Sequence, residues 1–323
     1  MSPGGAAVPE ISVVVPTHDR LDTLPEVLGA LAAQRDAPAF GVVVVDDGST
    51  DGTAAWLETF EWPPGWRFVR QENRGPAAAR NAGVRLARGR WVAFLGDDTV
   101  PEAGWLAAHH RTLTGEIARR AQAAGQGVGV IGYTGWHPRM RLNPFLRYIN
   151  EHGLQFGYAL IEDPDDVPFN FLYTSNLSLE RALLLEEPFD LDFPYAAWED
   201  IELSYRLKRR GLRLLYQASA RVAHHHPTDL ARFCARQEKA GYCAVVFHRL
   251  HPELGGFLGL GPDGPPPLPN RGLQALARGL ASALLPLPVR LPGLWECVLR
   301  YHYVVGLRRG WRDLGGRAKG DAA

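Results

Sequence analysis

At 323 residues and 46% hydrophobic composition, the chain has enough apolar material for one large domain or two modest ones. Its 35 basic residues balance 35 acidic ones, so no overall field singles out nucleic acid as a partner. Cys234, Cys243 and Cys297 have no paired spacing, which argues against a disulfide framework or a zinc site and suits a reducing compartment. The N-terminus lacks a basic start followed by an apolar run and cleavage site, and no run of about eighteen uninterrupted apolar residues occurs. The expectation is a soluble protein of the cytoplasm.

In chain order, "ISVVV" at 11 to 15 is a β-branched run reaching Pro16, the pattern of a strand buried on both faces. A helix follows in "DTLPEVLGALAAQ", where Leu24, Val27, Leu28 and Leu31 recur at helical spacing and Pro25 falls in the first turn. "VVVV" at 42 to 45 is the second strand and leads into "DDGSTDGT", a turn and helix start. "FVR" at 68 to 70 is a third strand, "GPAAARNAGVRLARG" a helix opened by Pro76 and closed by Gly89, and "WVAFL" at 91 to 95 a fourth strand. Such alternation predicts a parallel sheet covered on both faces, with ligands beyond the carboxyl ends of its strands. Thr17 and Asp19, Asp46 and Asp47, and Asp97 and Asp98 would then gather along one edge.

The second half is less regular. "NFLYTSNLSLE" suggests two short strands around Asn176, and "WEDIELSYRLKRRG" a helix from near Asp200 to Gly211. "LRLLYQ" and "ARVAHHH" read as two further strands, and a helical stretch carrying Cys234 and Cys243 begins after about residue 229. "GLGPDGPPPLPN" is a linker, and the segment beyond it mixes apolar residues with arginines and tryptophans. "NPFLRYINEHGLQFGY" could form a flap on the acceptor side.

Two adjacent carboxylates at a strand end can hold a hard divalent cation: Mg²⁺ takes one or two protein carboxylates plus substrate phosphate oxygens, and Mn²⁺ accepts histidine as well. A solvated turn explains the same pair. Asp47 could accept a hydrogen bond from a nucleobase or ribose, and Arg74 and Arg80 could neutralise a diphosphate, although helix arginines commonly form a solvated face.

Taken together, "VVVPTHDR", "VVVDDGSTDGT", "ENRGPAAARNAG", "WVAFLGDDTVP", "YTSNLSLE", "WEDIELSYRLKRRG" and "ARVAHHHP" resemble, in order and separation, the motifs of family 2 glycosyltransferases. The resemblance covers residues 10 to about 228. It implies the GT-A fold, a Rossmann-like, mostly parallel α/β sheet flanked by helices, with residues 1–228 as catalytic domain and 229–323 as a helical extension. It implies an inverting transferase that uses a nucleotide diphosphate sugar, a divalent metal (Mn²⁺ or Mg²⁺) and a saccharide or lipid-linked acceptor, in cell-surface polysaccharide or glycolipid synthesis. By the same resemblance Pro16, Thr17 and Asp19 lie near the donor nucleotide, Asp47 accepts from its base, and Arg80 lies near its diphosphate. Asp98 matches the last acid of the family's Asp-x-Asp metal motif, whose first acid falls on Gly96, leaving Asp97 and Asp98 to carry the site. His224 matches a histidine that completes the metal or diphosphate site, with the register among His224, His225 and His226 open.

The family's Glu-Asp pair at a helix start supplies the catalytic base, here Asp200 beside Glu199, with Glu202 as a neighbour. A rigid helix start fixes a carboxylate well, but it also favours an acid simply as a cap. Asn176 and Trp198 are candidates for the acceptor or sugar pocket. A nucleotidyltransferase would use similar aspartates, but no P-loop signature is present. A glycosidase would leave Asp47 and Arg80 unexplained. A non-catalytic sugar-nucleotide-binding protein stays open, with Gly96 marking a decayed metal site. Arginines and tryptophans bordering apolar stretches of the C-terminal segment also suit contact with the inner face of a membrane, although prolines at 286, 288 and 292 break any long helix there.

Overall fold

The computed structural model describes residues 8–151, 153–284 and 291–315; prolines 286 and 288 lie outside the described residues. The chain divides into two compact units, one of Met1–Met140, Leu160–Leu191 and Asp200–His226, the other of Arg141–Ala159, Asp192–Glu199 and Pro227–Ala323. The second unit therefore takes in 141–159 and 192–199, which the sequence alone assigns to the catalytic domain.

The first unit is built on β1 (Ile11–Thr17), β2 (Phe40–Asp46), β3 (Arg67–Arg70), β4 (Trp91–Leu95), β5 (Thr99–Pro101), β6 (Val128–Trp136), β7 (Asn176–Glu180) and β8 (Arg213–His224). They form one sheet in the order β3-β2-β1-β4-β7-β6-β8-β5. The β3-β2-β1-β4 half is parallel, as expected from the alternating pattern. Antiparallel β7 is inserted between β4 and β6, β6 and β8 are parallel, and short antiparallel β5 closes the edge.

Its helices are α1 (Leu24–Ala32), α2 (Thr53–Thr59), α3 (Pro76–Leu86), α4 (Trp105–Leu113), α5 (Glu116–Ala123), α7 (Arg181–Glu186) and most of α8 (Glu199–Arg209), with α6 (Pro144–Glu151) in the second unit. Because side chains alternate across a strand, Val13, Val15, Val42 and Val44 join the α1 leucines and Trp105 and Leu106 of α4 in the main core. Val43 and Val45 face the other way, with Ala79 of α3. Gly83 lets α3 approach closely, for a Cβ there would stand 2.3 Å from Val14 Cγ1. Burial on both faces is why these strands read as unbroken valine runs.

Two elements differ from the sequence expectation. The segment "NFLYTSNLSLE" contains one strand, β7, preceded by a single turn of 3₁₀ helix at Phe169–Phe171. The stretch 213 to 224 is one strand whose pairing with β6 jumps from Gly132↔Gln217 to Tyr133↔Arg221, so residues 218–220 bulge out. That bulge is tied down from below: Asn176 Nδ2 donates to Ala220 O at 2.9 Å and to Tyr133 O at 3.1 Å. A Cβ at position 132 would lie 2.2 Å from Ala220 O, so the glycine is required by the close approach.

The second unit centres on α9 (Leu230–Leu250) and α11 (Pro292–Asp313), with α10 (Arg271–Leu284) against α11. Asp229 caps α9 by accepting from Arg232 N, and Pro292 opens α11 in its first turn. Gly241 and Gly306 let α9 and α11 touch backbone to backbone: a Cβ on either would meet a carbonyl of the opposite helix at 2.0 Å. The segment read as a flap, 143–158, contributes α6, whose Phe145 is buried edge-on against Phe233 and Trp295. Among the described residues no helix is long and apolar enough to cross a membrane.

Candidate active site

The loops after β1, β2 and β4 meet at the carboxyl ends of the parallel strands. Pro16 and Thr17 close β1, and Thr17 is buried. Asp19 stands in the left-handed region (φ 53°), which Asp tolerates better than most residues. Its Oδ1 accepts from Thr50 N at 2.6 Å and Asp51 N at 3.2 Å. The Thr50 bond above all holds this carboxyl below its usual range. Asp46 is fully buried, accepts from Ser49 N and pairs with Arg70 Nε at 3.3 Å.

Asp47, expected to read the base, is used by the chain itself. Its Oδ1 accepts from Gln71 Nε2 (2.7 Å) and Arg74 N (3.0 Å), and its Oδ2 from Gly75 N (2.8 Å). Three of roughly four acceptor positions of a carboxylate are thereby taken, so Asp47 shapes the 71–75 loop at the start of α3. Arg80, on α3, holds its guanidinium over the Phe189 ring, 5.4 Å from the centroid. Asn81 ties the same loop down, donating to Phe189 O and accepting from Phe189 N.

Around Asp97 and Asp98 the polar groups converge. Arg20 Nε lies 3.5 Å from Asp97 Oδ1, and Arg20 also reaches Asp98 Oδ2 at 3.7 Å. Asp98 Oδ1 is 3.4 Å from His224 Nε2, and Oδ2 is 3.2 Å from His226 Nδ1. The β5–β8 register pairs Thr99 with His224, and His225 N donates to Asp98 O at 2.7 Å. Period-2 alternation then decides the register left open by the sequence. His224 and His226 stack on each other at 5.1 Å on the Asp98 side, whereas His225 packs against His137. Trp136 stacks on His224 with its ring 6° from parallel.

Burial, then the adjacent Asp98, push the Asp97 carboxyl above its usual range against the pull of Arg20. Burial disfavours ionised Asp98 too, but His224 and His226 outweigh it and hold that carboxyl well below its usual range. Asp98, His224 and His226 each offer one donor atom, all within 4.8 Å of one another. One carboxylate oxygen and two imidazole nitrogens fit a borderline transition cation such as Mn²⁺ better than Mg²⁺, which prefers oxygen throughout. Gly96 belongs to this geometry: a Cβ there would stand 3.2 Å from Asp98 Oδ1 and 3.1 Å from Thr99 Oγ1.

Asp200, half-buried in the first turn of α8, accepts from Thr174 N at 3.4 Å and from Ile201 N at 2.9 Å. The next residue, Ser175, accepts from Gly96 N at 3.3 Å through its carbonyl. A two-residue bridge therefore joins the helix-start acid to the Asp98 loop. Glu199 is buried and clusters with the second unit, whereas Glu202, also buried, is held by a two-pronged Arg206 contact at 2.7 and 2.9 Å.

Two expected pocket residues serve packing. Asn176 has no exposed surface; its Oδ1 lies 2.8 Å from both Trp105 Nε1 and His109 Nε2, so it fastens α4 to the sheet rather than lining an acceptor pocket. Burial pushes His109 down to about 4, so the imidazole is neutral. Trp198 is left-handed (φ 73°), donates through Nε1 to Ala240 O and packs on Phe247 and Phe257. Its ring belongs to the α9 core.

Arg20 and Trp136 join the site without having stood out in the sequence, where His226 was undecided. The signal for Arg20 was its place directly after Asp19 at a strand end; Trp136 had none before β6 was known to lie beside β8.

A mixed eight-stranded sheet flanked by helices, with acids and imidazoles gathered past its strand ends, is the architecture of a GT-A glycosyltransferase. The chain belongs to glycosyl transferase family 2, whose family model matches residues 12–178. It is 33% identical over 240 residues to the validoxylamine A glucosyltransferase of Streptomyces hygroscopicus subsp. limoneus, covering 65% of this chain and 50% of that protein. It is 28% identical over 263 residues to the pre-mycofactocin glycosyltransferase of Mycobacterium tuberculosis, covering 78% of this chain and 50% of that one. The chain thus spans about half the length of these curated relatives. The mannosyltransferase PcManGT of Pyrobaculum calidifontis, solved with GDP-Man and Mn²⁺, superposes with a TM-score of 0.59 over 94% of this chain and 88% of that one, at 20% identity.

Proposed function

We propose that the chain is an inverting glycosyltransferase that moves a sugar from a nucleotide diphosphate sugar to a hydroxyl of a saccharide or lipid-linked acceptor, in the synthesis of a cell-surface polysaccharide or glycolipid. The observation that carries this reading is the bridge from Asp200 through Thr174 and Ser175 to the Gly96–Asp98 loop, because it joins an acid suited to proton abstraction to a cation-binding cluster. Family membership and the names of the relatives support it.

The acceptor oxygen attacks the anomeric carbon in line as the bond to the diphosphate oxygen breaks; the electron pair leaves on that oxygen and the acceptor proton passes to Asp200. Glu199 is its neighbour, and the α8 N-terminus favours the ionised base. Asp98, His224 and His226 would hold a divalent cation, Mn²⁺ in preference to Mg²⁺, with Asp97 and Arg20 beside it. When bound, that ion supplies positive charge where the leaving diphosphate becomes more negative. Pro16 and Thr17 line the donor side, Asp19 and Asp47 fix the loops around it, and Arg80 is offered to the diphosphate from α3.

The test is release of nucleoside diphosphate from a panel of UDP-, GDP- and dTDP-sugars with Mn²⁺, Mg²⁺ or EDTA, for wild type and Asp98→Ala. Release from one donor class that needs Mn²⁺ and is lost in the variant supports the proposal. Tight donor binding with no release, in the presence of candidate acceptors, would instead identify a binding protein.

A further inference from the structure

We propose that α10 docks through its leucine face into the interface of a membrane rich in anionic lipid. Leu273, Leu276 and Leu280 follow one another at helical spacings of three and four and are 66%, 69% and 50% exposed. Among its described side chains this helix buries Gln274 and Ala281. This inverts the usual arrangement, in which the large apolar side chains of a helix turn inward and its polar ones outward. Single exposed leucines need no explanation, but a stripe of three along one helix marks a contact surface.

Charge says what covers it. Residues 271–323 carry nine Lys or Arg against three Asp or Glu, in a chain whose 35 basic and 35 acidic residues otherwise cancel, so residues 1–270 carry 26 basic against 32 acidic. Arg278 on α10 and Arg300, Arg308 and Arg312 on α11 are exposed. A net-basic segment that carries a leucine stripe complements anionic headgroups over hydrocarbon, and each cation that comes within a Debye length of the surface adds attraction. A second copy of the same segment would bring one net-positive charge against another. At 14 residues α10 is about 21 Å long, short of the roughly 30 Å hydrocarbon layer, so it lies in the interface and does not span.

The test is co-sedimentation of the full-length protein with vesicles of phosphatidylcholine alone or mixed with phosphatidylglycerol. Binding to the mixed vesicles, weakened by salt and reduced about a hundredfold in a Leu276→Glu/Leu280→Glu double variant, supports the proposal. Because both leucines are exposed, the double variant keeps the wild-type melting temperature, which checks that it folds. Failure of wild type to bind mixed vesicles, or undiminished binding by the double variant, overturns it. So does equal binding to neutral vesicles, or a wild-type dimer that the double variant converts to monomer, which would make the stripe an interface between copies.

Discussion

Replacing His226 by alanine removes one of the three donors Asp98, His224 and His226 while leaving the β5–β8 pairing intact, since the residue lies beyond the last paired position, His224. His226 Nδ1 is 3.2 Å from Asp98 Oδ2, and the ring is stacked on His224, so the deletion takes away both a nitrogen ligand and a support for its neighbour. Loss of even an outer-shell partner costs a metal site about 10- to 100-fold in affinity, and loss of a direct donor sits at the upper end of that range, roughly 2.8 kcal/mol. The assay is Mn²⁺ titration of the protein alone, followed by the electron paramagnetic resonance of free ion. His225→Ala is the internal control: its ring faces His137, on the other side of the strand, and its Mn²⁺ affinity stays at the wild-type value. Unchanged Mn²⁺ affinity in His226→Ala, or an equal loss in His225→Ala, would refute the three-donor site.

Other substitutions separate packing from ligand contact. Asn176→Ala strands Trp105 Nε1, His109 and two backbone carbonyls in a buried place, and at about 1–3 kcal/mol for each orphaned group it lowers the melting temperature steeply; a normal melting temperature with a raised acceptor KM would restore the residue to a pocket. Asp47→Ala releases the 71–75 loop, so amide exchange at Arg74 and Gly75 quickens together with loss of donor affinity, whereas loss of affinity with unchanged exchange would indicate direct base reading. Arg20→Met removes a cation 3.7 Å from Asp98 and tightens binding of Mn²⁺ to the free protein severalfold; weaker binding in calorimetry would mean that Arg20 organises the site. Gly96→Ala forces a Cβ to 3.2 Å from Asp98 Oδ1, which lowers Mn²⁺ affinity without lowering the melting temperature, and unaltered affinity would show that the carboxylate yields freely.

The parallel half of the sheet was legible because its information is local. Valine runs, the leucine spacing of α1 and the Pro76 start of α3 each declare an element, and the rule that ligands bind past strand ends gathers Thr17, Asp19, Asp47 and Asp98 in advance. The remainder depends on pairing between distant segments. That β8 runs unbroken through a bulge, that Asn176 fills the space beneath it, and that His226 rather than His225 meets Asp98 follow from the β6–β8 register jump and the Thr99–His224 pairing. Asp19 and Asp47 carry a second role that the sequence did not disclose, for the same reason. Each carboxylate accepts from backbone N–H groups of a different loop, Asp19 from Thr50 and Asp51 and Asp47 from Arg74 and Gly75, and pairings between loops are not written in local sequence.

The central claim is that Asp200 takes the proton from the acceptor, and Asp200→Asn tests it most directly, because the amide keeps the size of the side chain and removes only its basicity. Donor dissociation constant and nucleoside diphosphate release are measured side by side at saturating Mn²⁺ and acceptor. The expected result is an unchanged dissociation constant and a turnover lowered about 10²- to 10⁴-fold, the usual contribution of a general base. Wild-type turnover in Asp200→Asn would contradict it and return this acid to the role of a helix cap.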